Sequence, residues 1–257
     1  MTLERIHALI DAADSAPHRF PPTLIYNEGW MLRLILHWFE SHSLPEHVLD
    51  FQAGATWYSE ALLPTPFKAR YQGDPRAEAR THADGIVGHI AVGSAAKGDG
   101  ALLPGATQLI VTEAKLNSPL SSGTHNAPTY DQAARTVACM AETLYRAERS
   151  PAEFRSLAFV VIAPQHHIDK GGIAALLSTE SIGAAVRARA RAFAPKLDGW
   201  LEEWFMPTLE AIRIASLSWE HVIGDIAAID AQASGELSAF YGRCLKYNAS
   251  RLRSAPV

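Results

Sequence analysis

Two periods of apolar and polar positions alternate along the chain. Leu3, Ile6, Leu9 and Ile10 recur at helical spacing and predict an opening helix that stops before Pro17. After the Pro21-Pro22-Thr23 break, Trp30, Met31, Leu34, Ile35 and Trp38 predict a longer helix. Leu32, Leu36 and Phe39 widen its apolar surface, so it is mostly buried. Strand-like pieces follow at residues 47–51, 56–62 and 82–92, then a Gly/Ala/Pro-rich loop over 93–106 and a strand over 109–115. Residues 117–128 read as a second loop, and Thr129 with Gln132 has the spacing of a capping box that opens a helix through Ala147. Residues 157–163 are apolar on both faces, as in a central strand covered on both sides. The remainder is helix-rich (173–178, 182–193, 197–205), with one more strand at 211–217 and terminal helices after Trp219 and Gly235. This order predicts an α/β fold: a mixed central β-sheet flanked by helices, with a helix-rich C-terminal part.

Length and composition narrow this only loosely. The 257 residues suit a single domain spanning 1–257, with 48% hydrophobic and 19% charged residues as in an ordinary globular enzyme. A net charge of −4 gives no global basic signature, so a nucleic-acid contact would need a local patch. Cys139 and Cys244 match no zinc spacing and read as reduced thiols. No signal-peptide pattern and no membrane-spanning run are visible, which predicts a cytoplasmic protein without membrane attachment. Phosphate-binding Gly-x-x-x-x-Gly-Lys, dinucleotide Gly-x-Gly-x-x-Gly and hydrolase Gly-x-Ser-x-Gly patterns are all missing, which argues against small-nucleotide and acyl-transfer enzymes.

The segment with chemistry is Val111-Thr112-Glu113-Ala114-Lys115, read with Asp84. In a strand, side chains two apart share a face, so Glu113 and Lys115 project side by side. A second carboxylate from a neighbouring strand, Asp84, would complete a site able to hold Mg²⁺ and steer a water at a phosphodiester. Each residue also has a structural role open to it. Glu113 and Lys115 could form an edge-strand ion pair, Asp84-Gly85 a turn, Glu28 a helix N-terminal charge, and Gln132 a cap. Lys68, Arg70, Arg76 and Arg80 cluster ahead of Asp84 as candidate phosphate contacts, and His82 lies two residues before Asp84 on the same predicted strand face. Arg187, Arg189 and Arg191 alternate with Ala, and Gln165-His166-His167 follows the apolar strand.

With an acid on one strand and Glu-x-Lys on the next, the chain resembles the PD-(D/E)XK nuclease superfamily over roughly residues 23–165. The residues that carry the match are Asp84, Glu113 and Lys115, with Glu28 in the early helix and Gln132 after the motif. Ala83 stands where the family motif has proline, and the gap from Asp84 to Glu113 is long. The resemblance implies a restriction-endonuclease-like αβββαβ core (about 23–165), with the helical part (about 171–257) packed on the sheet or forming a subunit contact. It implies Mg²⁺, replaceable by Mn²⁺, held by Asp84, Glu113, the Ala114 backbone carbonyl and Glu28. Lys115 would orient the attacking water, Gln132 would assist, and Lys68, Arg70, Arg80 and His82 would contact substrate. The implied activity is hydrolysis of phosphodiester bonds, in DNA rather than RNA, in defence, restriction or repair. A homodimer or a targeting partner protein would help form the groove. The competing expectation is a catalytically inactive nucleic-acid-binding or assembly module of the same fold.

Overall fold

A computed structural model describes residues 2–16, 18–78, 81–93, 97–123, 127–170, 172–193 and 197–249. Its elements run α1 (Thr2–Asp11), α2 (Glu28–Ser41), β1 (Thr56–Leu63), β2 (Thr81–Gly88), β3 (Ile90–Val92), β4 (Gly100–Leu102), β5 (Gln108–Ala114), α3 (Gln132–Arg146) and β6 (Ser156–Ala163). Then come α4 (Gln165–Asp169), α5 (Gly172–Leu176), α6 (Thr179–Phe193), α7 (Asp198–Trp200), α8 (Met206–Ala211), β7 (Arg213–Ser218), α9 (Trp219–Ala227) and α10 (Ala231–Asn248). The fold is mixed α/β. Five strands form one sheet in the order β1-β2-β5-β6-β7, in which β1, β2 and β5 are antiparallel neighbours and β5, β6 and β7 run parallel. Parallel neighbours need a crossover, and α3 supplies it between β5 and β6.

Helices cover both faces. Val111, Phe159 and Val161 pack with α3, α6 and α8 on one side. Ile110, Val160 and Ile162 pack with α2, α9 and α10 on the other. All seven positions of β5 are buried, and so are seven of the eight in β6, as their apolar runs require of strands covered twice. Among the described residues no helix is long and apolar enough to cross a membrane. Cys139 and Cys244 are free and buried.

Several sequence expectations are corrected. Residues 47–51 form no strand: Val48 and Leu49 are buried from a loop closed by local turns, His47 to Leu44 and Asp50 to His47. Residues 82–92 are not one strand, because the chain breaks at Gly88 (φ 150°) and β3 leaves to pair with β4, which lies inside the expected 93–106 loop. The second helix starts at Glu28, not at the Pro-Pro-Thr break, with Asn27 accepting from the Trp30 amide at 3.0 Å. The capping box at Thr129 does not form. Asp131 caps α3 instead, its carboxylate taking the Ala134 amide at 2.9 Å, which frees the Gln132 side chain. His166 and His167 sit in the short helix α4.

One irregularity shapes everything around Asp84. The β1–β2 ladder runs from Thr56–Gly88 to Ser59–Gly85, resumes at Ala61–Ala83, and skips the facing pair Glu60 and Asp84. Glu60 has φ 58°, a conformation uncommon for a non-glycine residue. Side-chain alternation slips by one here. Trp57 and Ser59 face α2, whereas Ala61 and Leu63 face α3. Likewise Gly85 and Val87 face α2, while Ala83 and Thr81 face α3. The far half of the β1–β2 hairpin therefore folds over α3. His82 points away from the face that carries Asp84, contrary to the shared face expected from uninterrupted alternation.

Candidate active site

The β2–β5 ladder ends at Gly85–Thr112. Beyond it the next two facing residues are Asp84 and Glu113, which lie where the strands stop pairing. Asp84 replaces the lost backbone partner: its Oδ2 accepts from the Ala114 amide at 2.8 Å. Gly85 makes the close approach possible. A Cβ there would lie 2.5 Å from Thr112 Oγ1 and 2.9 Å from Leu36 of α2.

Glu113 is only 3% exposed and sits on the face toward α3. Its Oε1 takes the Lys115 ammonium at 2.7 Å and the Gln132 side-chain amide at 2.5 Å. Gln132 is held in turn by Ser121, whose amide donates to Gln132 Oε1 and whose carbonyl accepts the Gln132 amide, both at 3.0 Å. The Lys115 side chain is itself largely buried, at 12% exposure. The edge-strand ion-pair reading fails on this geometry, because β5 is the middle strand and the pair is desolvated.

Burial pushes the Glu113 carboxyl up to about 7, and the nearby Asp84 charge adds to the rise. Lys115 opposes both. Two carboxyl groups this close, paired with one ammonium, retain one uncompensated negative charge. A proton can neutralise it, and so can a cation. Glu113 is raised above its usual value near 4.5, so the folded state holds a proton that the unfolded state has lost between pH 4.5 and about 7. Its contribution to stability is fully present below that window and disappears as pH rises through about 7. The unfolding free energy of the metal-free wild type is expected to fall between pH 5 and pH 8 by an amount on the order of 2 kcal/mol, and the unfolding midpoint with it. Glu113→Gln should flatten that dependence; equal pH profiles in thermal unfolding of the two proteins would contradict it.

Glu28 opens α2, half-buried, and its charge helps burial push up the pKa of the Cys244 thiol of α10. Among the described residues no three His, Cys, Asp or Glu side chains are grouped so as to hold a metal ion, so Asp84 and Glu113 are the convergent pair. Lys68 is exposed and lies near Glu142, ten residues along α3 from Gln132, or about 15 Å. Arg70 is engaged by Asp74 at 2.7 Å and by the Phe193 carbonyl, and Arg76 by the Ala192 carbonyl. Arg189 is buried over the Phe67 ring, 3.5 Å from Glu78. Arg80 lies outside the described residues.

Sequence reading missed three participants: Ser121, which orients Gln132, Glu60, whose strained backbone faces Asp84, and Trp219. The Trp219 indole donates to the Lys115 carbonyl at 2.8 Å. No local pattern marks any of them, because each acts through a register between distant segments.

No family model, curated protein or solved structure matches the chain.

Proposed function

We propose that the protein is a metal-dependent nuclease of the PD-(D/E)XK type that hydrolyses phosphodiester bonds, in DNA rather than RNA. The observation that carries this reading is the convergence of Asp84, Glu113, Lys115 and Gln132 at the end of the middle strand. With β3 and β4 set aside in their own two-stranded sheet, the order α2-β1-β2-β5-α3-β6, three antiparallel strands followed by a helical crossover to a parallel fourth, adds support, since it follows the αβββαβ order the resemblance implies.

The residues fit a hard divalent cation. Mg²⁺ needs only one or two carboxylates and keeps several waters, and the Asp84–Glu113 pair has unbalanced charge for a cation to relieve. Asp84 and Glu113 would hold Mg²⁺ or Mn²⁺, with the Ala114 carbonyl as a further oxygen. Bound there, the metal would supply Lewis-acid stabilisation of the phosphate and a more acidic water. Lys115 presents a fixed ammonium to the negative charge that develops as the phosphodiester is attacked. Gln132 fixes the rotamer of Glu113, so that the carboxylate is preorganised and not solvent-mobile. Lys68, Arg80 and His82 remain candidate contacts of a long polymer substrate outside this centre, and Glu28 a candidate holder of a second metal or a metal-bound water.

Metal binding tests the assignment independently of cleavage. At pH 8, Mg²⁺ or Mn²⁺ should raise the unfolding midpoint of the wild type, with a dependence on concentration set by its dissociation constant, and Asp84→Asn should abolish the rise. An unshifted midpoint in the wild type would remove the metal centre. The second reading, a nucleic-acid-binding module without catalysis, draws on the saturation of Glu113 by Lys115 and Gln132. It requires oligonucleotide binding that is indifferent to the metal.

A further inference from the structure

We propose that Trp219, at the start of α9, is a positioning residue that holds Lys115 in place by supplying a hydrogen bond the sheet cannot make. Parallel β5 and β6 pair Ala114 with Ile162, and the Lys115 amide continues the ladder to the Ile162 carbonyl at 2.8 Å. In a parallel ladder the residue whose N–H reaches position 162 has its own carbonyl bonded by the N–H of position 164. Position 164 is proline, which has no N–H.

The Lys115 carbonyl would thus be orphaned beside a buried site. Trp219 fills the gap, with its indole Nε1 2.8 Å from that oxygen. The tryptophan is fully buried, and β7 delivers it there. Ser218 pairs with Ala163 as the last residue of β7 and then caps α9, its hydroxyl accepting the His221 amide at 3.0 Å. Lys115 is therefore clamped on both sides of its own backbone, one residue beyond the end of β5. Its ammonium stays on the Glu113 face because the backbone that carries it cannot turn. The distant C-terminal segment acts on the site through this bond, without touching substrate.

The catalytic consequence rests on the nuclease reading; the clamp itself does not. The test compares the full-length wild type, Trp219→Phe, and Trp219→Phe combined with Pro164→Ala. Pro164 has φ −57°, which alanine adopts, so Pro164→Ala restores a backbone N–H where the ladder calls for one. Acetylation of Lys115 by acetic anhydride, followed by mass spectrometry, reads how well the side chain is held. Trp219→Phe should label about tenfold faster than wild type, as expected for loss of one buried hydrogen bond, and the double variant should return toward the wild-type rate. With Mg²⁺ and DNA, kcat should fall about tenfold in the single variant at unchanged KM, and recover in the double variant.

Benzothienylalanine at position 219 keeps the bicyclic ring and lacks only the N–H, so it reports on the bond if the phenylalanine variant folds poorly. Labelling of Trp219→Phe at the wild-type rate, or a double variant that labels as fast as the single one, would overturn the proposal and leave Trp219 as core packing. Failure of the wild type to cleave would remove the nuclease reading, while the labelling rates would still decide the clamp.

Discussion

Lys115→Ala is expected to lose DNA cleavage by about 10²- to 10³-fold in kcat while still binding Mn²⁺. The loss is large because the ammonium is fixed, desolvated and aimed. It lies 2.7 Å from Glu113 with its side chain 12% exposed, so it needs little reorganisation as charge develops on the phosphate. Metal binding should survive because the proposed metal ligands are Asp84 and Glu113. Removing the cation also removes what lowers the Glu113 carboxyl, so metal binding by the variant should require higher pH than in wild type. Steady-state cleavage and Mn²⁺ calorimetry on the same preparation check both halves. A variant that cuts at the wild-type rate would show that Lys115 has no part in the chemistry.

The second large effect is on stability. Gly88→Ala is expected to destabilise the fold by about 4 kcal/mol and to lower the unfolding midpoint by about 10 °C. Gly88 ends β2 at φ 150°, outside the range that a side chain tolerates, and a Cβ there would lie 2.1 Å from the Gln108 carbonyl oxygen. That obstacle is backbone, and the middle strand that carries it is buried along its whole length. It cannot swing aside as a flexible side chain would. Thermal unfolding by circular dichroism checks the effect; a midpoint within 2–3 °C of wild type, roughly 1 kcal/mol by the same scaling, would mean that the bend at Gly88 relaxes easily.

The apolar runs made the sheet legible in sequence. Residues 157–163 read as covered on both sides and 109–115 as a strand, and they form the two strands buried deepest in the middle of the sheet. The same pattern misled at 47–51, where Val48 and Leu49 are buried from a loop, because burial alone does not make a strand. The proximity of Glu113 and Lys115 followed from the two-residue period of a strand. The face of His82 did not, because the slip at Glu60 and Asp84 breaks that period, and the neighbouring Gly85 reads in sequence as part of a turn.

Gln132 shows a different limit. Its polarity at a helix start was visible, but Asp131 one position earlier takes the capping role and turns Gln132 toward Glu113. The arginines ahead of Asp84 show a third. Charge clustering in sequence gave no sign that two carbonyls at the end of α6 hold Arg70 and Arg76, although Asp74, the ion-pair partner of Arg70, lies only four residues along. Side chains whose partners lie over a hundred residues away carry no local signature of them.

Cleavage of covalently closed circular DNA by wild type and Lys115→Ala, side by side with Mg²⁺ and with EDTA, tests the assignment most directly. Nicking or linearisation by the wild type that requires Mg²⁺ and disappears in the variant is the expected result. Cleavage that persists in EDTA, or is equal in the two proteins, would contradict a metal-dependent phosphodiesterase built on Asp84, Glu113 and Lys115.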